Sequence, residues 1–297
     1  MELLQLKYFQ TVARLQHMTK SAEELRITQP ALSKMISTLE KDLDTKLFDR
    51  ESKFIRLNDQ GKLFLKYVTT ALNALEDGKV ALQDVSENST NAVNLYVEVA
   101  SHLLPDLLAS FRQHYPGIHF NLLQHAAGHV HQPSYDLCLS TSLSMNPSTD
   151  NLTLLTEEIL LAVPAGHPLA DRSSVKLAEL SEEAFLSLSA GKTLRETTDL
   201  LCKQAGFLPN IIFESDDPAT VRGLIKAGLG VAFIPAVTWG GSTGASVVLL
   251  PIEEPLSTRT IKLYWPADRY LKKAAVLFRE FTVDYFAKLT QAGGGIR

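Results

Sequence analysis

The sequence predicts an α/β protein in three consecutive parts: an N-terminal winged helix-turn-helix, a long linker helix and a C-terminal α/β domain of two lobes. Short helical patterns come first, a long proline-free heptad pattern follows, and strands then alternate with helices. The predicted boundaries are residues 1–58, 59–91 and 92–297. Within the last domain the predicted ranges are about 92–162 and 268–297 for lobe 1, and about 163–267 for lobe 2.

The composition is that of a soluble globular protein, since 45% of the 297 residues are hydrophobic and 21% are charged. No apolar run reaches the roughly 18 residues of a membrane span, and the N-terminus lacks a signal-peptide pattern. We therefore expect a cytoplasmic protein without membrane contact. The net charge of −4 argues against nonspecific coating of nucleic acid. Cys138 and Cys202 lie far apart, which excludes a disulfide framework and favours core positions over a peroxide-sensing thiol.

Three short helices are predicted at the start of the chain. The first follows from apolar residues at three- and four-residue steps, which are Leu3, Leu6, Phe9, Val12 and Ala13. Thr19 is a candidate cap for a second helix that runs through Leu25. Thr28 caps a third helix, and Pro30 stands in its first turn, where a missing N–H costs little. Because so little chain separates the second and third helices, they must turn sharply, as in a helix-turn-helix.

The third helix carries a polar face that suits the major groove of DNA. Glutamine can bond adenine N6 and N7, lysine can reach guanine O6 and N7, and serine can serve either role. We assign base reading to Thr28, Gln29, Pro30, Ser33 and Lys34. No residue is assigned to catalysis, and no cofactor is expected.

A hairpin, or wing, is predicted at Phe48–Leu57, where polar residues lie between apolar ends. Basic residues of this segment belong to a local stripe of positive charge that could face DNA phosphates. The residues assigned to the DNA backbone are Ser37, Arg50, Lys53 and Arg56. A solvated basic face is the alternative interpretation.

The linker helix is predicted from apolar residues that step by three and four, the spacing of a coiled coil. This heptad seam consists of Phe64, Val68, Ala71, Leu75, Leu82 and Val85, with Gly78 in the same pattern. A seam directly after a DNA-reading module favours a homodimer, which would set two reading helices against the half-sites of an interrupted inverted repeat. Packing against the chain's own residues is the alternative.

Sequence motifs along nearly the whole chain resemble those of LysR-type transcriptional regulators. They include Thr28-Gln29-Pro30-Ala31-Leu32-Ser33-Lys34, Leu47-Phe48-Asp49-Arg50, Pro164-Ala165-Gly166-His167-Pro168-Leu169 and Ala227-Gly228-Leu229-Gly230-Val231-Ala232-Phe233-Ile234-Pro235. The resemblance implies a linker-helix dimer that commonly assembles into a homotetramer, and a C-terminal domain similar to a periplasmic binding protein. It also implies a small-molecule effector in the cleft between the lobes, with double-stranded DNA and RNA polymerase as further partners.

The positions of an effector site carry over from the same resemblance. They are Ser101, His102, Gln124, His125, Asp216, Asp217, Pro218, Gly230 and Val231. The loop 100–105 is shorter than in the family, which weakens an anion site there, and two aspartates facing the cleft would favour a cation or an amine. Capping of the following helix is the alternative for the aspartates. The cleft could be open, or filled by His102 and His125.

Other motifs are weaker. His125, His129 and His131 have a spacing compatible with a transition metal, but exposed loop histidines are the alternative and no metal is assigned. The Gly-x-Ser-x-Gly match at 240–244 lacks the strand-to-helix context of a hydrolase, and the run 228–230 follows a helix instead of opening one. A solute-binding protein or small-molecule enzyme, in which the N-terminal helices serve only assembly, is the second functional hypothesis.

Overall fold

A computed structural model of the chain describes residues 1–51, 54–85, 91–124, 135–141, 149–239, 246–254 and 256–293. The side chains of residues 50, 51, 54 and 291–293 fall outside that description. The chain forms two units, Met1–Thr90 with Asp268–Tyr270, and Asn91–Ala267 with Leu271–Arg297. Among the described helices, none combines the length and apolar character needed to cross a bilayer.

The N-terminal unit is a helix-turn-helix followed by a wing and a long helix. Its elements are α1 (Leu3–Leu15), α2 (Met18–Leu25), α3 (Gln29–Asp42), β1 (Phe48–Glu51), β2 (Phe54–Leu57) and α4 (Asp59–Val85). The strands β1 and β2 pair antiparallel, so the predicted hairpin is confirmed. The turn between α2 and α3 passes through Arg26, whose φ of 55° is left-handed.

The predicted cap of α2 was wrong. The N-cap is His17, whose Nδ1 accepts the Lys20 N–H at 3.4 Å, and Thr19 lies inside the helix. Thr28 does occupy the N-cap of α3 with Pro30 in the first turn, but its side chain makes no capping hydrogen bond within this described segment.

Phe9 occupies the centre of the first core. It is fully buried, and its ring centroid lies 5.5 Å from that of Phe48 in the wing and 5.4 Å from that of Phe64 in α4. Val68 is also buried in this core. Phe64 and Val68 were therefore wrongly assigned to the dimer seam: the first turns of α4 pack on α1, and the spacing that suits a coiled coil also suits a helix covering its own domain.

Gly61 lies where α4 approaches the wing most closely. A Cβ added there would be 2.1 Å from the carbonyl oxygen of Leu47 and 2.7 Å from Cδ1 of Leu57. No real Cβ contact is that short, so only glycine fits this position without a shift of backbone.

Gly61→Ala is accordingly expected to destabilise the N-terminal unit by about 1–3 kcal/mol, the usual cost of overpacking. Gly223→Ala is the matched control, because an added Cβ in that helix meets nothing within 4 Å. The control should stabilise by about 0.4–1 kcal/mol. Urea unfolding followed by circular dichroism measures both, and equal midpoints for the two variants would contradict the prediction.

The C-terminal unit contains nine described strands, four α-helices and a short 3₁₀ turn. They are β3 (Ala92–Val97), α5 (Leu104–His114), β4 (His119–Leu123), β5 (Leu137–Thr141), β6 (Thr149–Pro164), the 3₁₀ turn Leu177–Leu180, β7 (Ala184–Leu188), α6 (Thr193–Gln204), β8 (Asn210–Ser215), α7 (Pro218–Lys226), β9 (Ala232–Pro235), β10 (Val247–Leu250), β11 (Thr258–Pro266) and α8 (Lys273–Gly293).

Lobe 1 is built on the strand order β6-β11-β5-β3-β4. The strands β4, β3 and β5 are parallel, whereas β11 runs antiparallel to both β5 and β6. Phe111 of α5 and Phe278 of α8, with centroids 5.0 Å apart, cover one face of this sheet. Alternation of strands and helices favours parallel layers, but the antiparallel strand β11 makes this sheet a mixed one.

Lobe 2 combines a parallel pair, β7 with β8, and an antiparallel group in which β6 pairs with β9 and β10. Val231 links the two groups, because its carbonyl accepts the Leu186 N–H at 2.8 Å and its N–H donates to Ala184 at 2.9 Å. Phe185 stacks on Phe233, with centroids 5.3 Å apart, in the core below.

The long strand β6 crosses from one lobe to the other. Its residues 149–158 pair with β11 in lobe 1, and its residues 159–164 pair with β9 and β10 in lobe 2. The predicted boundary after residue 162 therefore falls inside the lobe 2 part of β6. β11 was assigned to lobe 2 but belongs to lobe 1, because it pairs with β5 there.

Candidate DNA-binding surface and effector cleft

The outward face of α3 carries the residues assigned to base reading. Leu32, Ile36 and Leu39 are buried on the inner face of the helix. The helical period therefore turns Gln29 and Lys34 outward, where both are exposed. Exposed positions also include Thr28 and Pro30, while Ser33 and Ser37 are half-buried.

The wing is held to α3 by a buried carboxylate. Glu40 is 3% exposed, and its Oε1 accepts the N–H groups of Leu47 at 3.0 Å and Phe48 at 3.4 Å. Its Oε2 pairs with Lys46 Nζ at 2.9 Å. Arg56 is exposed on the wing beyond this anchor. Lys53 and the side chain of Arg50, which were also assigned to the DNA backbone, lie outside the described residues.

Past its first turns, α4 presents apolar side chains to the surface of the single chain. Leu75 is 54% exposed, Leu82 76% and Val85 87%, and Ala71 is exposed as well. Monomeric proteins rarely leave a contiguous apolar strip on one helix uncovered. The part of the heptad seam from Ala71 to Val85 is thus available to a partner.

The facing edges of the two lobes lie at the point where β6 crosses. In lobe 2 the parallel strands β7, β8 and β9 all end there, since Pro235 at the end of β9 pairs with Ile159. In lobe 1 the strands β3, β4 and β5 end on the side of Thr258, the first residue of β11. Carboxyl ends of parallel strands are the usual position for ligands in α/β folds.

Most of the residues assigned to the effector lie on these edges. Ser101 and His102 follow β3 and Gln124 follows the neighbouring strand β4, and all three are exposed. The prediction for His125 lies outside the described residues. In lobe 2, Asp216, Asp217 and Pro218 follow β8.

Asp217 is a helix cap, as the alternative interpretation had it. Its carboxylate accepts the N–H groups of Ala219 at 3.0 Å and Thr220 at 3.1 Å, together with the Thr220 hydroxyl at 3.0 Å. The hydrogen bond from Ala219 is the main reason that the pKa of Asp217 is below its ordinary value. The expectation of an aspartate pair that selects a cation is therefore wrong for Asp217, since its oxygens are already used.

Gly230 and Val231 do not face the cleft. They lie at the start of β9, beside Ala184 at the start of β7, which is the opposite edge of the lobe 2 sheet. Val231 is 1% exposed, and a Cβ on Gly230 would be 2.5 Å from the Ala184 carbonyl oxygen. Their role is close strand packing, and the effector assignment for these two residues was wrong.

A buried ion pair lies next to the crossing and was missed by sequence reasoning. The side chains of Glu157 and Arg259 are 0% and 4% exposed, with Oε1 to Nε at 2.9 Å. Glu157 also accepts the N–H groups of Val237 and Thr238, both at 2.8 Å, and the Thr238 hydroxyl at 2.7 Å. One carboxylate thus ties β6, β11 and the segment after β9 together. The pair is remote in sequence, so no local motif could reveal it.

Two arginines at the lobe 2 edge also escaped prediction. Arg195 of α6 donates to Asp199 and to Glu214, and to the Leu188 carbonyl at 3.1 Å. Arg222 of α7 lies over the ring of Trp239, with 5.4 Å from Cζ to the centroid.

Both cysteines are buried free thiols. Burial raises the pKa of Cys202 to about 12 and raises that of Cys138 as well. A reactive cysteine has a lowered pKa instead. In the part of the chain that the structure describes, no group of His, Cys, Asp and Glu could hold a metal ion. The histidines 125, 129 and 131 and the run 240–244 lie outside that part.

Comparisons with known proteins agree with this architecture. Residues 3–62 match the bacterial regulatory helix-turn-helix protein model of the lysR family, and residues 89–287 match the LysR substrate binding domain. The transcriptional dual regulator GltC of Bacillus subtilis is 36% identical over 298 residues, covering 98% of this chain and 99% of GltC. The regulator YybE of the same organism is 36% identical over 294 residues, covering 97% and 100%.

Solved structures share the fold. Full-length OxyR C199D from Pseudomonas aeruginosa superposes with a TM-score of 0.65 at 21% identity, over 95% of this chain and 94% of that one. The effector binding domain of QuiR, in complex with shikimate, superposes with a TM-score of 0.57 at 23% identity, over 66% and 97%. Together with the family models, these likenesses confirm the resemblance drawn from the sequence motifs. The chain belongs to the LysR family of transcriptional regulators, with an N-terminal DNA-binding helix-turn-helix and a C-terminal effector-binding domain.

Proposed function

We propose that this regulator acts in the cytoplasm as a dimer that reads an interrupted inverted repeat in double-stranded DNA. The observation that carries the proposal is the polar row on α3, with Gln29 and Lys34 exposed and Ser33 half-buried, opposite a fully buried apolar face. Glutamine and lysine at this end of a reading helix can hydrogen-bond base edges in the major groove. Arg56 on the wing supplies a phosphate contact, and RNA polymerase is the further partner expected at a promoter.

Assembly beyond the α4 seam has a second candidate surface in the C-terminal unit. The strand β8 is an edge strand of lobe 2. Its residues Ile212 and Phe213 are each 45% exposed, and Leu200 of α6 is 51% exposed. The strand β4 ends the lobe 1 sheet and exposes Leu122. Sheet edges with apolar side chains favour pairing with another chain. They support a homotetramer built from two seam-linked dimers.

We further propose that a small molecule between the lobes changes the promoter contacts. The two lobe edges meet where β6 crosses, so a ligand that touches both edges would favour one arrangement of the lobes. Such a ligand acts only through its different affinities for the arrangements. The relatives named above are transcriptional regulators, which agrees with a role that is not enzymatic.

Gln29→Ala is expected to reduce discrimination between the target and a scrambled duplex by about 1–3 kcal/mol, because the amide no longer reads a base edge. Arg56→Ala should instead weaken binding to both duplexes and reduce the salt dependence, since a phosphate contact carries no sequence information. Fluorescence anisotropy measures both, with DNA from upstream of the regulator's own gene at two salt concentrations.

Thr38→Ala is the matched control on the same helix. Its hydroxyl donates to the Lys34 carbonyl at 2.9 Å and is therefore turned to the helix's own backbone. This variant should bind both duplexes as the unmodified protein does. Equal weak binding to both duplexes, unchanged by Gln29→Ala, would refute a sequence-reading role for α3.

A further inference from the structure

We infer that the effector is a small organic carboxylate, held at the lobe 2 edge by the guanidinium of Arg222 above the ring of Trp239. The inference rests on the proposed effector function and names the chemical class of its ligand. It differs from the cation or amine that the aspartate pair led us to expect.

Arg222 and Trp239 lie on the edge that faces the crossing of the lobes. Arg222 is in the second turn of α7, the helix that starts directly after the carboxyl end of β8. Trp239 follows β9, immediately after Val237 and Thr238, whose N–H groups bind Glu157 beside the crossing. The pair is therefore placed where a ligand between the lobes would meet lobe 2.

The charge of Arg222 is not neutralised by an ion pair or a hydrogen bond within the described residues. The nearby Asp217 attracts it at longer range, but the oxygens of that carboxylate are used in capping α7. The segments 125–134, 142–148 and 240–245 contain no aspartate or glutamate, so they supply no carboxylate side chain. Arg222 is half-buried, so its guanidinium loses part of its hydration, and this burial lowers its pKa.

Arg195 provides the contrast on the same edge. Two carboxylates and a backbone carbonyl bind its guanidinium, so Arg195 has little capacity left for a ligand. The two arginines on this edge thus differ in their partners: Arg195 has two carboxylates and a carbonyl, whereas among the described residues Arg222 has only the Trp239 ring. A half-buried cation without a counter-ion stabilises the binding of an anion.

The geometry of the stack favours a carboxylate. The Cζ of Arg222 lies over the Trp239 ring, 5.4 Å from its centroid, and no described residue accepts a hydrogen bond from the N–H groups at the edge of the guanidinium. That edge matches the two oxygens of a carboxylate in a bidentate pair. One guanidinium also balances the single charge of a carboxylate, whereas phosphate would bring more negative charge than Arg222 alone can offset.

The emission of Trp239 provides a direct measurement of this site. The chain has two tryptophans, so Trp265→Phe leaves Trp239 as the single emitter. The probes are the sodium salts of butyrate, benzoate and pyruvate, with butyramide, benzamide and pyruvamide as neutral counterparts and inorganic phosphate as a second anion. We expect at least one carboxylate to change the emission saturably at millimolar concentration, and its amide to leave the emission unchanged.

Arg222→Gln should raise the dissociation constant of that carboxylate about tenfold or more, as expected for a lost hydrogen bond to a charged group. Arg222→Lys should lose less, because it keeps the charge without the planar fork. Arg279→Gln is the matched control: that arginine stacks in the same way on residue 265, at 4.9 Å in the unmodified protein, away from the crossing. Arg279→Gln should leave the dissociation constant of the carboxylate unchanged.

Three results would overturn the inference. The first is no response to any of the three carboxylates, and the second is a response to the amides or to phosphate that equals or exceeds the response to the carboxylates. The third is a dissociation constant unaffected by Arg222→Gln. Thermal unfolding confirms that each variant is folded, and Arg222→Lys tests the site even if the glutamine variant is not. DNA binding without ligand, and the reduced discrimination expected of Gln29→Ala, test the proposed function separately, so a failed carboxylate experiment leaves that test intact.

Discussion

Arg259→Met is expected to lower the free energy of unfolding of the C-terminal unit by about 3–5 kcal/mol. The substitution leaves the Glu157 carboxylate buried without its cation, 0% exposed and at the crossing of the two lobes. An unpaired buried charge has lost its hydration without compensation, so it destabilises far more than the same change at the surface. Urea unfolding followed by tryptophan emission measures the effect, because Trp239 and Trp265 both belong to this unit.

Arg172→Met provides the control for that substitution. Arg172 pairs with Glu179 at 2.6 Å, but the two side chains are 51% and 44% exposed. Water screens such a pair, and its loss should cost no more than about 1 kcal/mol. Similar unfolding midpoints for the two methionine variants would contradict this prediction. They would show that the Glu157–Arg259 pair does not stabilise the crossing.

The N-terminal unit was predictable from sequence because its signals are local. The spacing of apolar residues in α1, the short turn before Thr28 and the hairpin pattern at Phe48–Leu57 each depend on neighbouring residues. The long strand β6 has a local sequence signal only in its second part, where the apolar run Ile159–Val163 is typical of a buried strand. Its first part alternates polar and apolar residues and becomes a strand by pairing with β11, which is remote in sequence.

The functional residues divide in the same way. Gln29 and Lys34 could be placed because a helical period and a buried opposite face determine where they point. No sequence motif around Arg222 indicates a ligand-binding role. That role is inferred from its contact with Trp239 and from the absence of a counter-ion among the described residues. Gly230 carried a family pattern, yet its position follows from the contact with the Ala184 backbone. A family motif alone therefore does not show at which edge of a sheet its residues lie. The direction of the strand must be known as well.

The double substitution Leu75→Glu with Leu82→Glu is expected to abolish the α4 dimer. It places carboxylates on the exposed part of the heptad seam, where the partner helix would bring the same charges close in an apolar environment. Two linked reading helices bind an inverted repeat with an avidity about 10²–10⁴ times that of one helix alone. The variant should therefore lose affinity for the full repeat by that factor and keep its affinity for a single half-site.

The matched control keeps the same positions apolar, as Leu75→Met with Leu82→Met, and should retain both the dimer and the affinity for the full repeat. Sedimentation velocity reports the assembly, and anisotropy on full and half-site duplexes reports the binding. Because Val68 is buried in the N-terminal core and the half-buried Phe64 packs against it, the glutamate variant should keep its helix-turn-helix folded. A glutamate variant that still binds the full repeat tightly would assign dimerisation to another surface, of which the apolar edge at Ile212 and Phe213 is the first candidate.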